Sequence, residues 1–270
     1  MIYKKVYLKD IDPRFHSSLA TLRIYISSRN ESVGPRPGLL ICPGGGYYCT
    51  SPREAEPVAF RFLSEGFNCF ILDYSVYKAY PAPHYDLALA FNYINSHLEE
   101  FDLIKDTLSV VGFSAGGHLV TSFGYLYQKL AKELGFEAKN LKPRAIISAY
   151  AVTFMNEYTH KTTHDIICGG DVGIESLLNV PTHISGDYPP TFIWTTKDDK
   201  TVPYINSVKL KEELDKNNVK NEFALFESGY HGSSVCNRSC YQKGDIYSEM
   251  KNNRDWTTLA ADFIFEVLGI

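Results

Sequence analysis

Short, almost wholly apolar runs recur along this chain, at residues 39–42, 69–72, 108–111, 145–147, 192–194 and 223–226. A strand with one wet face alternates polar and apolar residues, so an unbroken apolar run reads as a strand buried on both faces. Helical patterns fill most of the intervals. Leu87, Phe91, Ile94 and Leu98 recur at helical spacing, and residues 115–134 form a long stretch without proline. Residues 204–217 follow Pro203, which suits a first helical turn. Near the C-terminus, Leu259, Phe263 and Val267 lie beside a second stripe of Ala260, Ile264 and Leu268, so that helix has a broad apolar face. Strand and helix in alternation predict an α/β fold, a mostly parallel twisted sheet with helices on both faces. Ahead of the first run, Leu22, Ile24 and Ile26 alternate with Thr21, Arg23 and Tyr25, the pattern of an antiparallel strand.

The 270 residues, 44% of them hydrophobic, fit a single domain (1–270) with a sizeable core. Twenty-seven Lys and Arg against 31 Asp and Glu leave a net charge of −4, without the basic excess of a nucleic-acid binder. The apolar runs fall well short of the roughly 18 residues of a membrane span. The first ten residues carry no apolar leader. The six cysteines (Cys42, Cys49, Cys69, Cys168, Cys236 and Cys240) are scattered, which fits reduced thiols in a cytoplasmic protein better than a disulfide framework. The expected partner is a small molecule, not nucleic acid or membrane, and a homodimer is left open. Two stretches break the strand–helix rhythm. One lies around 153–188 and reads as a small cap insertion; the other, 232–254, is polar and patternless. Long excursions in a compact domain are usually functional or mobile.

Four segments carry chemistry. Gly112-Phe113-Ser114-Ala115-Gly116 follows an apolar run and opens a helical stretch, the context in which G-x-S-x-G lifts a nucleophilic serine above a sheet. Its glycines relieve a strained strand-to-helix turn, and the helix N-terminus favours developing negative charge. Cys42-Pro43-Gly44-Gly45-Gly46-Tyr47 follows the first buried run. Three glycines let bare N–H groups approach a reacting carbonyl, as an oxyanion site requires. A phosphate loop would end in Gly-Lys-Ser/Thr, and this one continues Gly-Tyr-Tyr. Asp198 and Asp199, ahead of Val202-Pro203, follow a late strand, and both are candidates for an orienting acid. His231, in Gly229-Tyr-His-Gly232, lies on the loop after the last run and is the candidate base. Serine, acid and histidine follow in the chain order of an α/β-hydrolase. His118, inside the helix after Ser114, reads as structural. His160 and His164, with Asp165 beside them and His183 further on, lack a convincing helix to gather them on a metal, and Cys236 with Cys240 has no second pair.

These segments resemble the bacterial acetyl esterases and carboxylesterases of the α/β-hydrolase superfamily, the group close to the lipase-like carbohydrate esterases. The resemblance rests on Pro43-Gly-Gly-Gly-Tyr47, residues 106–119, Asp199-Lys-Thr-Val-Pro203 and Gly229-Tyr-His-Gly232. It implies an α/β-hydrolase fold and selects Asp199 over Asp198, because the acid in that group precedes x-x-Val-Pro. It assigns the oxyanion donors to the N–H groups of Gly45, Gly46 and Ala115. It also implies serine hydrolysis of short-chain esters, acetyl esters of carbohydrates above all, with no cofactor and no metal. Pro43 departs from the His-Gly-Gly-Gly form of many lipases. Tyr47 and Tyr48, amphipathic rings after the glycines, are candidates for contact with substrate. A small peptidase related to prolyl oligopeptidases and a non-catalytic receptor on the same scaffold are the other readings; the short chain weighs against the first and the complete triad against the second.

Overall fold

The computed structural model describes residues 1–28, 34–156, 158–244 and 247–270, without the side chains of Tyr247 and Glu249. Its strands are β1 (Ile2–Tyr7), β2 (Thr21–Ile26), β3 (Gly38–Cys42), β4 (Asn68–Asp73), β5 (Ser109–Phe113), β6 (Ile146–Ala149), β7 (Thr191–Thr196) and β8 (Asn221–Phe226). They form one sheet in the order β1-β2-β4-β3-β5-β6-β7-β8. β2 runs antiparallel to both β1 and β4, and every pairing from β4 across to β8 is parallel. The six apolar runs coincide with β3 to β8. β1 has no such signature: it is an edge strand, IYKKVY, paired only with β2 and largely exposed.

The longer helices among the described residues are α1 (Glu56–Ser64), α2 (Ala82–Ser96), α3 (Ser114–Leu134), α4 (Lys161–Cys168), α5 (Val172–Leu178), α6 (Ile205–Lys216) and α7 (Trp256–Leu268). Successive side chains of a strand point to opposite faces, and the core divides accordingly. Leu40, Phe70, Val110, Ile146 and Ile193 pack with residues of α2, α3 and α6 such as Leu87, Phe123 and Leu210. Leu39, Ile71, Val111, Ile147 and Trp194 pack on the other face with Phe62 of α1 and Trp256 and Phe263 of α7. Trp194 and Trp256 are stacked there with centroids 4.8 Å apart.

The connection from β3 through α1 leads to β4 on one side, and the next, through α2, returns to β5 on the other. The strand order therefore reverses between β3 and β5. In sheets of this kind the crevice outside the carboxyl ends of those two strands is where ligands bind. The glycine loop leaves β3 there, and Ser114 leaves β5.

Both excursions are anchored more firmly than their composition suggests. In the first, α4, α5 and the turn Val180–His183 bury Ile167, Cys168 and Leu178. The Asn206 side chain on α6 accepts the N–H groups of Thr153 and Phe154 at 2.9 and 3.1 Å. The described residues of the second, 232–254, join the body: Ser233, Ser234, Val235, Cys236, Cys240 and Met250 are all buried. The segment reads as patternless because its buried groups are largely small and hydrogen-bonded, such as the Ser234 hydroxyl, which donates to the Arg53 carbonyl at 2.6 Å.

Candidate active site

Ser114 sits at the junction of β5 and α3 with φ of 52°, left-handed backbone that a side chain rarely adopts. The flanking glycines have a steric cause. A Cβ on Gly112 would stand 2.2 Å from the Gly116 carbonyl oxygen, and one on Gly116 would stand 2.2 Å from that of Cys42. The turn aims Ser114 Oγ at His231 Nε2, 2.8 Å away. His231 Nδ1 lies 2.7 Å from Asp199 Oδ2. Asp199 is buried, and its other oxygen, Oδ1, accepts the N–H groups of Thr201 and Val202 at 2.9 and 3.0 Å. A carboxylate oxygen can only accept here, so Nδ1 carries the proton and Nε2 is free to accept from the serine hydroxyl. The three residues come from the carboxyl ends of β5, β7 and β8. Asp198 turns the other way: it accepts the Ser228 hydroxyl at 2.9 Å and the Gly229 N–H at 2.8 Å, bracing the loop that carries His231.

Gly45 and Gly46 have φ of 121° and 60°. The carbonyl of Gly45 accepts the N–H groups of Tyr48 and Cys49 at 3.0 and 3.1 Å, which curls the loop back on itself. No protein acceptor among the described residues takes the N–H groups of Gly45, Gly46 or Ala115. Ala115 opens a helix, where the first N–H groups have no partner within the helix.

Of the two tyrosines expected to meet substrate, Tyr47 does not. It is fully buried, and its hydroxyl donates to His118 Nδ1 at 2.9 Å. Positive φ at Gly46 and Tyr47 turns that ring inward onto α3, leaving Tyr48 beside Gly46 and 44% exposed. His118 Nε2 donates to the Leu178 carbonyl at 3.0 Å, which makes Nδ1 the acceptor. Burial holds His118 down at about 4, so it is neutral and joins the glycine loop, α3 and α5.

His160 caps α4, its Nδ1 3.0 Å from the Thr163 hydroxyl, and its Cε1 lies 3.5 Å from where a Cβ on Gly46 would stand. Burial, and then the charge of nearby His231, lower its pKa. His164 lies instead between Asp165 and Glu175, 3.2 Å from each. His183 stacks on Tyr125. Among the described residues no group of three or more His, Cys, Asp or Glu is placed to hold a metal ion. Cys236 and Cys240 both bond to Ser233, and all six cysteines are free.

Two residues that the sequence reading passed over lie against the site. Glu54 accepts the Gly44 N–H at 2.8 Å and the Tyr150 hydroxyl at 2.6 Å. The Tyr150 ring packs edge-on to His231 with centroids 5.0 Å apart. A lone glutamate after the glycine loop carries no motif, and Tyr150 is marked only by ending an apolar strand.

A serine held on a strained strand-to-helix turn, backed by histidine and aspartate at the switch point of a mostly parallel sheet, defines an α/β-hydrolase. The BD-FAE family profile matches residues 22–214, well over half of the chain, and the protein belongs to that family. It is similar to endo-1,4-beta-xylanase B of Butyrivibrio fibrisolvens, with 28% identity over 77% of this chain and 34% of that protein. The chain spans less than half the length of the curated relatives it matches. Among solved structures, MGS-M1, an α/β hydrolase from a deep-sea metagenome library of the Medee basin, is 29% identical with a TM-score of 0.79 over 100% of this chain and 99% of its own. The acetyl ester-xyloside bifunctional hydrolase of Caldicellulosiruptor lactoaceticus is 27% identical with a TM-score of 0.78, over 93% and 89% of the two chains.

Proposed function

We propose that the protein is a serine carboxylic ester hydrolase that removes short acyl groups, acetyl above all, from carbohydrates or other small soluble alcohols. The observation that carries this reading is the Ser114–His231–Asp199 array, with contacts of 2.8 and 2.7 Å. Ser114 Oγ attacks the acyl carbon while its proton passes to His231 Nε2. Asp199 holds the imidazole in the tautomer that can accept that proton and stabilises the imidazolium. The N–H groups of Gly45, Gly46 and Ala115 receive the negative charge that develops on the carbonyl oxygen. His231 then protonates the departing alkoxide as its bond to carbon breaks. A water molecule repeats the sequence on the acyl-enzyme and restores Ser114.

The short-chain preference is supported by what surrounds Gly46. Tyr48 and His160 crowd it, and α4 behind His160 begins Lys161-Thr-Thr-His-Asp165. Each added methylene gains about 0.8 kcal/mol only where an apolar slot receives it. The carbohydrate half is supported by the similarity to an acetyl ester-xyloside hydrolase and a xylanase. A reducing, cytoplasmic setting belongs to this reading, supported by the six free cysteines. The test is a p-nitrophenyl ester series from acetate to decanoate, with acetylated xylosides alongside. The expected optimum in kcat/KM lies at about two to four acyl carbons. An optimum at octanoate or beyond would overturn the short-chain assignment, and no turnover of any ester would overturn the activity.

A further inference from the structure

Glu54 is 3% exposed, and both oxygens of its carboxylate accept hydrogen bonds. Burying a carboxylate is costly unless hydrogen bonds satisfy it. Here two donors do so, one on each oxygen, and they belong to two different limbs of the site. Oε2 accepts the N–H of Gly44, the residue before the oxyanion glycines, at 2.8 Å. Only glycine fits there: a Cβ on Gly44 would stand 2.7 Å from that oxygen and 3.0 Å from Ser114 Cβ. The carboxylate therefore lies one glycine away from the nucleophile.

Oε1 accepts the Tyr150 hydroxyl at 2.6 Å. That hydroxyl also accepts the N–H of Ser234 at 3.1 Å, on the loop just past His231. The Tyr150 ring is the edge-on neighbour of the imidazole. Tyr150 itself is held with φ of 34°, strained backbone for a tyrosine at the end of β6. One carboxylate thus spans from the loop that follows β3 to the loop that follows β8. Glycine loop, serine and imidazole come from three different strand ends, and nothing in the parallel sheet itself sets their separation to a fraction of an ångström.

We propose that Glu54 is a positioning residue of this site, holding the oxyanion loop and, through Tyr150, the His231 loop in register with Ser114. The proposal rests on the esterase reading above. A glutamine is a poor replacement for the carboxylate. With its one oxygen on the Gly44 N–H, its NH₂ faces the Tyr150 hydroxyl, which already accepts the Ser234 N–H and is left, buried, without an acceptor for its own proton. The rest of the loop stays anchored, since the Tyr74 hydroxyl donates to the Pro43 carbonyl at 2.7 Å and the Ser51 N–H to that of Gly44 at 3.0 Å. The expected defect is therefore misplacement rather than unfolding, and a shift of about 1 Å at a reacting centre can cost on the order of 100-fold.

The experiment compares wild type, Glu54→Gln, Tyr150→Phe and the double variant. It reads the rate at which a fluorophosphonate modifies the protein, by intact mass, together with kcat and KM for p-nitrophenyl acetate and the folded fraction by circular dichroism. For folded Glu54→Gln the expected fall in both kcat and the phosphonylation rate is about 10- to 100-fold, with KM within about threefold. Tyr150→Phe should fall in the same direction. The double variant should be little worse than the poorer single one, because both lie on one chain of contacts. Rates in the folded single variants less than about threefold below wild type would overturn the proposal. So would a loss that matches the unfolded fraction. Should Glu54→Gln fail to fold, Tyr150→Phe decides by the same threshold. A wild-type protein that is phosphonylated but hydrolyses no ester would end the esterase reading, and the phosphonylation rates would still judge Glu54.

Discussion

Asp199→Asn should cost about 10⁴-fold in kcat, and the same change one residue earlier, at Asp198, less than about tenfold. The contrast follows from which oxygen faces what. Asp199 Oδ1 accepts two backbone N–H groups, at 2.9 and 3.0 Å, and an amide NH₂ cannot take that place. The carboxamide oxygen of an asparagine must sit there, so its NH₂ is forced toward His231 Nδ1, now 2.7 Å from Oδ2. A donor in that position needs a lone pair on Nδ1, which moves the ring proton to Nε2, and Nε2 can then no longer accept from Ser114. The geometry survives while the tautomer is wrong, a loss equivalent to about 5 kcal/mol of transition-state stabilisation. Asparagine at 198 meets no such conflict. Its oxygen keeps the Gly229 N–H and its NH₂ donates to the Ser228 hydroxyl, so the His231 loop stays braced. The assay is steady-state hydrolysis of p-nitrophenyl acetate, with both proteins checked for folding. Asp198→Asn as the more severe change, or Asp199→Asn with a tenth of wild-type turnover, would refute this reasoning.

Two further outcomes concern the scaffold. His118 is held down at about 4 against an ordinary value of about 6.5, so between those two pH values the unfolded chain binds more protons than the folded one. Stability should be fully present above about 6.5 and be lost as pH falls toward 4, by about 3 kcal/mol from this group, with His84, likewise lowered by burial, adding in the same direction. Urea midpoints at pH 7 and pH 4.5 test this; His118→Gln should flatten part of the slope, and an unchanged slope would remove His118 as its source. Gly116→Ala should destabilise the protein by about 2 kcal/mol or more, because the new Cβ would meet two backbone carbonyls, of Cys42 and Pro43, at 2.2 and 2.4 Å. A thermal midpoint equal to wild type would show that the turn has slack these distances do not suggest.

The sequence discloses most about places where sterics leave a single solution. A serine between glycines at a strand-to-helix turn is legible because Gly112 and Gly116 touch backbone directly. Strands β3 to β7 are legible because both their faces are dry, whereas β8, read from the same kind of apolar run, is an edge strand whose residues are half-buried or, at Glu222, exposed. β1 escapes notice because an exposed edge strand carries Lys4 and Lys5 as readily as Val6, and only pairing with β2 defines it. Tyr47 and Tyr48 look equivalent in sequence, and the left-handed turn at Gly46 and Tyr47 is what buries one and exposes the other. Glu54 and Tyr150 meet across 96 positions, a juxtaposition that the strand order creates and no local pattern records. The polar 232–254 segment misleads for a related reason: its burial is paid in hydrogen bonds, which hydropathy does not register.

The role proposed for Ser114 is tested most directly by treating the protein with a fluorophosphonate and mapping the adduct by peptide mass. The expected result is one equivalent of label on Ser114, absent from Ser114→Ala, with kcat in that variant down by about 10⁴-fold or more while the fold is retained. A stoichiometric adduct on any other residue, or a Ser114→Ala protein that keeps a tenth of wild-type turnover, would contradict it.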